Sequence, residues 1–302
     1  MTSTKSGAAW LSVVSNCVLI VLKLAAGVLT GSIAILTEAI HSAIDLVASL
    51  IALFSVRKAE EPADEDHPYG HEKAENVAAG AEAMLILLGA VIIVIEAVRR
   101  LLNGSEVTDV GVGIAIIALS IVVNLLVSAY LYRRARALES PALEGDAAHL
   151  RADAVTSIAV LVGLVLVKTT GNVAFDSIAA LLVAGAIVAT GVRLARRSGR
   201  VLMDEALPDD ELDRIERVIA VSRLPEVAGY HKLRGRSAGS SRHIDLHVQF
   251  RAGTSLEEAH RQAHDLRDAI EAEFSDADVL IHVEPEDSYR GAGEESSPFR
   301  HG

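Results

Sequence analysis

Six stretches of this 302-residue chain are each long and apolar enough to cross a lipid bilayer: about residues 8–29, 32–56, 77–102, 110–132, 146–168 and 174–195. A membrane-spanning helix needs about 20 mostly apolar residues. Hydrocarbon offers backbone groups no partner, so such stretches must close their own hydrogen bonds as helices. The fourth is the cleanest, with Asn124 as its one strongly polar member. Breaks stand at Thr30-Gly31-Ser32, Asn103-Gly104-Ser105 and Thr169-Thr170-Gly171-Asn172, as turn chemistry requires. A cleaved leader accounts for none of the later five stretches, and no small-residue processing site follows the first. The pattern predicts an all-α, six-helix transmembrane domain over residues 1–206.

Hydrophobic residues make up 51 % of the chain and charged ones 23 %, so the two populations must be segregated. The character changes near Val201. Residues 207–302 hold 20 acidic and 12 basic residues and pattern like a water-soluble domain. Residues 211–220 are amphipathic. A first strand is expected near 227–233. Residues 243–250 alternate, with Ile244, Leu246, Val248 and Phe250 on one face and His243, Asp245, His247 and Gln249 on the other. Residues 256–274 read as a helix and 279–283 as a short strand. The expectation is a small α+β domain of αββαβ order over 207–287, followed by a Gly/Ser/Glu-rich disordered tail over 288–302. The net charge of −12 argues against a nucleic-acid partner, because a phosphate backbone wants a basic face. Lys5, Arg57, Lys58, Lys73, Arg133, Arg134, Arg136, Arg151, Arg193, Arg196, Arg197 and Arg200 fall on one side of the expected bundle. Only Arg99, Arg100 and Lys168 fall on the other. Basic short loops stay inside, so both termini and the polar domain are expected in the cytoplasm.

Charged groups within a span cost several kcal/mol and point to function. The second span contains His41-Ser-Ala-Ile-Asp45 and the fifth contains His149-Leu-Arg-Ala-Asp153. Spacing of i, i+4 puts each pair on one helix face. If the faces meet, two imidazole nitrogens and two carboxylates form a tetrahedral set of the kind Zn²⁺ accepts. A single such pair is as readily a structural hydrogen bond; two of identical spacing in an apolar bundle are not. Asn16, Lys23 and Asn124 read as interhelical or snorkelling groups, and Glu82 and Glu96 stay unassigned. The loop after the second span holds Asp64, His67 and His71, a weak metal set or simply a solvated acidic loop. Six histidines, His231, His243, His247, His260, His264 and His282, crowd the polar domain, which suggests a second metal site. One cysteine among 302 residues excludes a disulfide framework and any multi-thiolate zinc site.

These features together resemble the cation diffusion facilitator family, six-span metal transporters with a cytoplasmic metallochaperone-like domain. The likeness runs from about Ala8 to Glu286. His67-Pro-Tyr-Gly-His-Glu-Lys-Ala-Glu75 is similar to the family's H-x-x-G-H-x-K-A-E loop, and Met203-Asp-Glu-Ala-Leu-Pro208 to its junction between domains. The resemblance implies that His41, Asp45, His149 and Asp153 form the transport site. It implies a loop site at Asp64, His67 and His71. It also implies a binuclear site at His231, His247, His260, His282 and Glu284 near a homodimer interface, and a hinge salt bridge between Lys73 and Asp204. Two positions depart from many bacterial relatives: His41 stands in place of Asp, and Glu284 in place of Asp.

The expected activity is Zn²⁺/H⁺ antiport out of the cytoplasm across the inner membrane, by alternating access. Imidazole and carboxylate bind metal only when deprotonated, so protons and metal compete for the same atoms. Fe²⁺, Cd²⁺, Co²⁺ or Mn²⁺ export by the same site is the alternative, and a membrane metal sensor without transport is a rival from another class. An intramembrane metalloprotease would need an H-E-x-x-H run, which the sequence lacks.

Overall fold

A computed structural model describes residues 4–30, 33–103, 111–170, 174–222, 224–274 and 276–286. The expected tail over 288–302 lies outside them. The chain divides into two compact units, Met1–Gly199 and Arg200–Gly302.

Six long helices fill the first unit among the described residues: α1 (Lys5–Thr30), α2 (Ile33–Ala59), α3 (Lys73–Asn103), α4 (Gly111–Ala137), α5 (Pro141–Thr170) and α6 (Ala174–Leu202). All six run several residues past their apolar stretches at one end. Helix α4, for example, continues through Arg133, Arg134 and Arg136, because arginine is a good helix former and hydrogen bonding does not stop where lipid does. Helix α5 begins before its apolar stretch. Pro141 sits at its first position, where a missing N–H costs nothing. Ser140 caps it, its Oγ accepting from Leu143 N at 3.4 Å.

Small side chains bring the helices close, as membrane bundles require. Ala8, Ala9, Val13, Leu53, Leu131, Leu143, Ala147 and Leu150 form a buried cluster joining α1, α2, α4 and α5. A second cluster, Ala79, Ala83, Ile86, Ala90, Ile187 and Leu194, joins α3 to α6, with Ala148 and Ala152 of α5 against it. Large apolar side chains face outward. Val21 is 65 %, Ile95 63 % and Leu126 67 % exposed, a distribution that suits lipid rather than water. Among the described residues, Lys5–Ala26 and Lys73–Arg99 are the segments long and apolar enough to cross a membrane by composition. Helix α5 carries Glu144, Asp146, Arg151 and Asp153, so composition alone does not mark it as a span.

The second unit orders α7 (Asp209–Ser222), β1 (Val227–Ala238), β2 (Ser241–Phe250), α8 (Leu256–Glu271) and β3 (Ala277–Pro285). The sheet order is β1-β2-β3, with β1 antiparallel and β3 parallel to β2. The alternation expected on β2 is present: Ile244, Leu246, Val248 and Phe250 are buried, while the intervening residues are half-buried. Leu212 and Ile215 of α7 and Leu266 and Ile270 of α8 complete the core against that face. Ser255 caps α8 by accepting from Glu258 N, as a serine N-cap does. The two helices cover one face of the sheet and leave the histidine-bearing face to other work.

Candidate metal centre

The α2 and α5 faces meet. His149 Nε2 lies 3.5 Å from Asp45 Oδ1 and 3.6 Å from Asp153 Oδ2. One ligand atom from each of the three residues lies within 4.8 Å of the other two. Asp45 and His149 are buried and Asp153 is half-buried. His41 lies one turn before Asp45 on α2, and its side chain lies outside the described residues. The three placed side chains offer one nitrogen and two carboxylates on facing helices, and two carboxylates balance a divalent cation. That balance offsets most of the cost of holding such an ion away from water.

Two further carboxylates surround this centre. Asp146 is fully buried and accepts from Ser49 Oγ at 3.0 Å. Ser49 in turn meets Ser12 Oγ at 2.8 Å and accepts from Asn16 Nδ2 at 2.8 Å. This polar relay ties α1, α2 and α5 beside the site. Glu82 of α3 is also fully buried, with Oε2 3.9 Å from His149 Nδ1. Lys23, buried on α1, donates to Ser42 Oγ at 2.7 Å.

The α2–α3 loop assembles the second cluster, Asp64, His67 and His71. His67 N donates to Asp64 Oδ1 at 2.7 Å, a local side-chain-to-backbone bond of the kind aspartate favours outside helices. Gly70 adopts φ 85°, a left-handed position open to glycine without strain, and the chain then turns His71 inward. His71 Nε2 lies 3.2 Å from Asp64 Oδ2, and the two imidazole centroids are 4.6 Å apart. The His67 backbone bond, with smaller help from both rings, holds the Asp64 carboxyl below the usual carboxylate range despite a contrary desolvation effect. Asp64 is therefore an anionic donor at neutral pH.

The third cluster follows from strand register. His231 stands opposite His247, and His247 opposite His282, so three adjacent strands set three imidazoles in a row on one face. Glu284, two residues past His282, shares that face. Its carboxylate meets His231 Nε2, lies 3.3 Å from His247 Nδ1 and 3.9 Å from His282 Nε2. Burial pushes the Glu284 carboxyl up, but its bonds to His247 and His231 outweigh burial and leave it below the usual range. Burial pushes the His247 imidazole down, and the nearby Lys232 and His282 add to this against the opposing pull of Glu284. An imidazole that resists protonation and a carboxylate that resists neutralisation are the forms a metal needs. His231, His247 and Glu284 each offer a ligand atom within 4.8 Å of the others, with His282 beside them, and a set of imidazole nitrogens with a carboxylate suits Zn²⁺. His260 is not in this row. On α8 it meets His264 edge-on, ring centroids 4.3 Å apart.

The family model for the cation efflux transmembrane domain matches residues 9–203, and that for the cation efflux protein cytoplasmic domain matches residues 207–286.

The chain belongs to the cation efflux family.

Relatives agree over nearly their whole length. The cation-efflux pump FieF of Serratia proteamaculans is 35 % identical over 268 residues, 89 % of this chain and 88 % of the relative. FieF of Yersinia enterocolitica is 34 % identical, with the same coverage of 89 % and 88 %. FieF of Escherichia fergusonii is 33 % identical over 267 residues, 88 % of each chain. The solved Zn form of CzrB is 33 % identical, covering 29 % of this chain and 99 % of its own, with a TM-score of 0.28. The resemblance drawn from the motifs is thus correct at the level of the family, and the first unit is its transmembrane-type domain.

Within this cation efflux chain, three of the four expected transport ligands converge, as do all three loop residues and three of the five expected in the cytoplasmic domain, with His282 beside that last cluster. Asp204 adopts φ 56° and lies 3.4 Å from Arg236 Nη1; Lys73 is the first residue of α3. Sequence reasoning passed over Asp146 and left Glu82 without a role. Asp146 had a readable signal: it precedes His149 by three residues and Asp153 by seven, which is one helix face. Glu82 had none, because its nearness to His149 depends on how α3 packs against α5.

Proposed function

We propose that this protein is a secondary transporter of the inner membrane that exports Zn²⁺ from the cytoplasm in exchange for protons. The observation that carries the reading is the buried meeting of Asp45, His149 and Asp153 from two helices of a transmembrane-type domain. His41, one turn from Asp45, supplies the fourth donor and completes a tetrahedral N₂O₂ set. All six long helices cross the bilayer, with both termini in the cytoplasm, as the distribution of Lys and Arg directs. In the inward-open state the ion displaces protons from the imidazoles and carboxylates. After the bundle opens outward, protons entering down their gradient displace the ion.

Metal choice follows ligand chemistry. Two nitrogens with two oxygens suit Zn²⁺, with Cd²⁺ and Co²⁺ close behind, while Mg²⁺ and Ca²⁺ want oxygen shells. Mn²⁺ prefers oxygen, and imidazole also suits iron, so Fe²⁺ is the strongest competitor. In the cytoplasmic domain, His231, His247, His282 and Glu284, with His260 of the same expected set, hold regulatory zinc near a homodimer interface. Metal there stabilises the dimer and reports cytosolic zinc.

Competition transport into proteoliposomes tests the substrate. Unlabelled Zn²⁺ and Cd²⁺ are expected to suppress ⁶⁵Zn²⁺ flux at low concentration, Fe²⁺ at a higher one, and Mn²⁺ and Mg²⁺ least. Suppression by Fe²⁺ or Mn²⁺ at lower concentration than by Zn²⁺ makes zinc the wrong substrate. Metal-dependent signalling with no flux of any ion makes the protein a sensor instead.

A further inference from the structure

Glu82 is fully buried inside the bundle, and neither of its carboxylate oxygens has a hydrogen-bond partner among the described residues. A buried polar group without a partner costs about 1–3 kcal/mol, more when charged, so its retention calls for a physical reason. The His149 ring stands close by, its Nδ1 3.9 Å from Glu82 Oε2. Nδ1 also lacks a hydrogen-bond partner. The other ring nitrogen, Nε2, faces Asp45 at 3.5 Å and Asp153 at 3.6 Å. The two ring nitrogens diverge, so His149 presents Nε2 to the carboxylate pair and Nδ1 to Glu82.

A neutral imidazole binds metal through one nitrogen and keeps a hydrogen on the other. Which nitrogen is free for metal depends on what the other one meets, and a carboxylate there fixes both the tautomer and the ring plane. The backbone of α5 makes room for this. A Cβ placed on Gly145 would come within 3.1 Å of Glu82 Cβ and Cγ, so glycine leaves α3 free to seat Glu82 one turn before His149. The 3.9 Å gap closes to a hydrogen bond with a small rotation of either side chain. Asp146, the other buried carboxylate nearby, holds Ser49 through Oδ1 and keeps an unbonded Oδ2; among the described residues, the carboxylate within 4.0 Å of Nδ1 is that of Glu82.

We propose that Glu82 is the positioning residue of the transport site: it accepts the Nδ1 hydrogen of His149 and thereby holds Nε2 toward the ion shared with Asp45 and Asp153. Glu82 does not bind the ion, because it lies on the far side of the ring. The inference rests on the reading of Asp45, His149 and Asp153 as the transport site.

Zinc transport by the full-length chain in proteoliposomes tests it, with KM and maximal rate measured separately. Glu82→Met keeps the volume and removes the acceptor. Its KM for Zn²⁺ is expected to rise about 10- to 100-fold, the usual cost of losing a partner behind a metal-binding histidine, with the maximal rate changed far less. Glu82→Gln restores an acceptor oxygen and is expected to bring KM back near the wild-type value. A purely structural role for Glu82 lowers the amount of active protein, and so the maximal rate, without moving KM. Wild-type KM in Glu82→Met, or equally raised KM in Met and Gln variants, overturns the inference. Asp153→Ala, run alongside, separates the two claims. If it transports normally, the transport-site reading itself fails. If it is inactive while Glu82→Met keeps wild-type KM, only the role of Glu82 fails.

Discussion

Asp153→Ala is expected to reduce zinc flux in proteoliposomes by more than about 100-fold, beyond the range typical of outer-sphere partners. Asp153 contributes one of two carboxylates to the cluster with Asp45 and His149. Its removal deletes a ligand and leaves a divalent cation facing a single negative charge in a buried site, where an uncompensated charge is costly. The proton side of the cycle suffers equally, since one of the groups that exchanges metal for protons is gone. The fold should survive, because Asp153 is half-buried and the packing of α5 rests on Leu143, Ala147 and Leu150. Asp153→Asn tests the same point with less change in shape: the amide keeps an oxygen donor but loses the charge, so flux should stay near the alanine level. Flux is read with a zinc-sensitive dye sealed in the vesicles, and an unchanged melting temperature in detergent separates lost chemistry from lost fold.

His247→Ala carries the second large effect, on the cytoplasmic unit. That unit has its own core around Ile215, Ile244, Leu246, Val248, Leu266 and Ile270, so it can be studied alone as well as in the whole chain. His247 is the middle of three facing imidazoles, opposite His231 on one side and His282 on the other. Its loss removes a ligand and opens the row in the centre, so zinc affinity is expected to fall at least about 100-fold, past the outer-sphere range. Calorimetry gives affinity and stoichiometry together, and unchanged stoichiometry removes His247 from the site. The pH dependence has a definite sign. Metal needs the neutral ring, and the pKa of His247 lies below its ordinary value of 6.5, with burial as the leading cause. Proton competition at this ring therefore begins only as pH falls below about 6.5, the unperturbed histidine range. A site limited by His247 holds its zinc affinity from pH 7.5 to about 6.5 and loses it on further acidification.

The parts legible in the sequence were those set by local periodicity. The His-x-x-x-Asp spacing puts two donors on a helix face wherever the helix packs, and alternation along residues 243–250 separates core from histidine face before any partner strand is known. What escaped depended on packing or on weak local signals. Strand β1 extends through Gly235, Arg236 and Ser237, residues with little strand preference, because pairing with Ile244, His243 and Arg242 of β2 holds them there. Asp146 stands at the edge of an apolar stretch, where a charge draws little notice, while in the bundle it is fully buried. Glu82 meets His149 only because Gly145 lets α3 approach α5. The grouping of His260 with the sheet histidines came from resemblance, and within one chain its ring meets His264 instead.

Coupling is the central claim, and proton movement measured during zinc transport tests it most directly. Proteoliposomes holding a pH-sensitive dye, with the transporter reconstituted and Zn²⁺ added outside, should show protons leaving as zinc enters. The interior should turn alkaline at a rate that follows zinc uptake, and Asp153→Ala vesicles should show neither signal. Zinc uptake with no change in internal pH, under conditions where the dye responds to an imposed gradient, would contradict exchange and make the protein a passive zinc pathway.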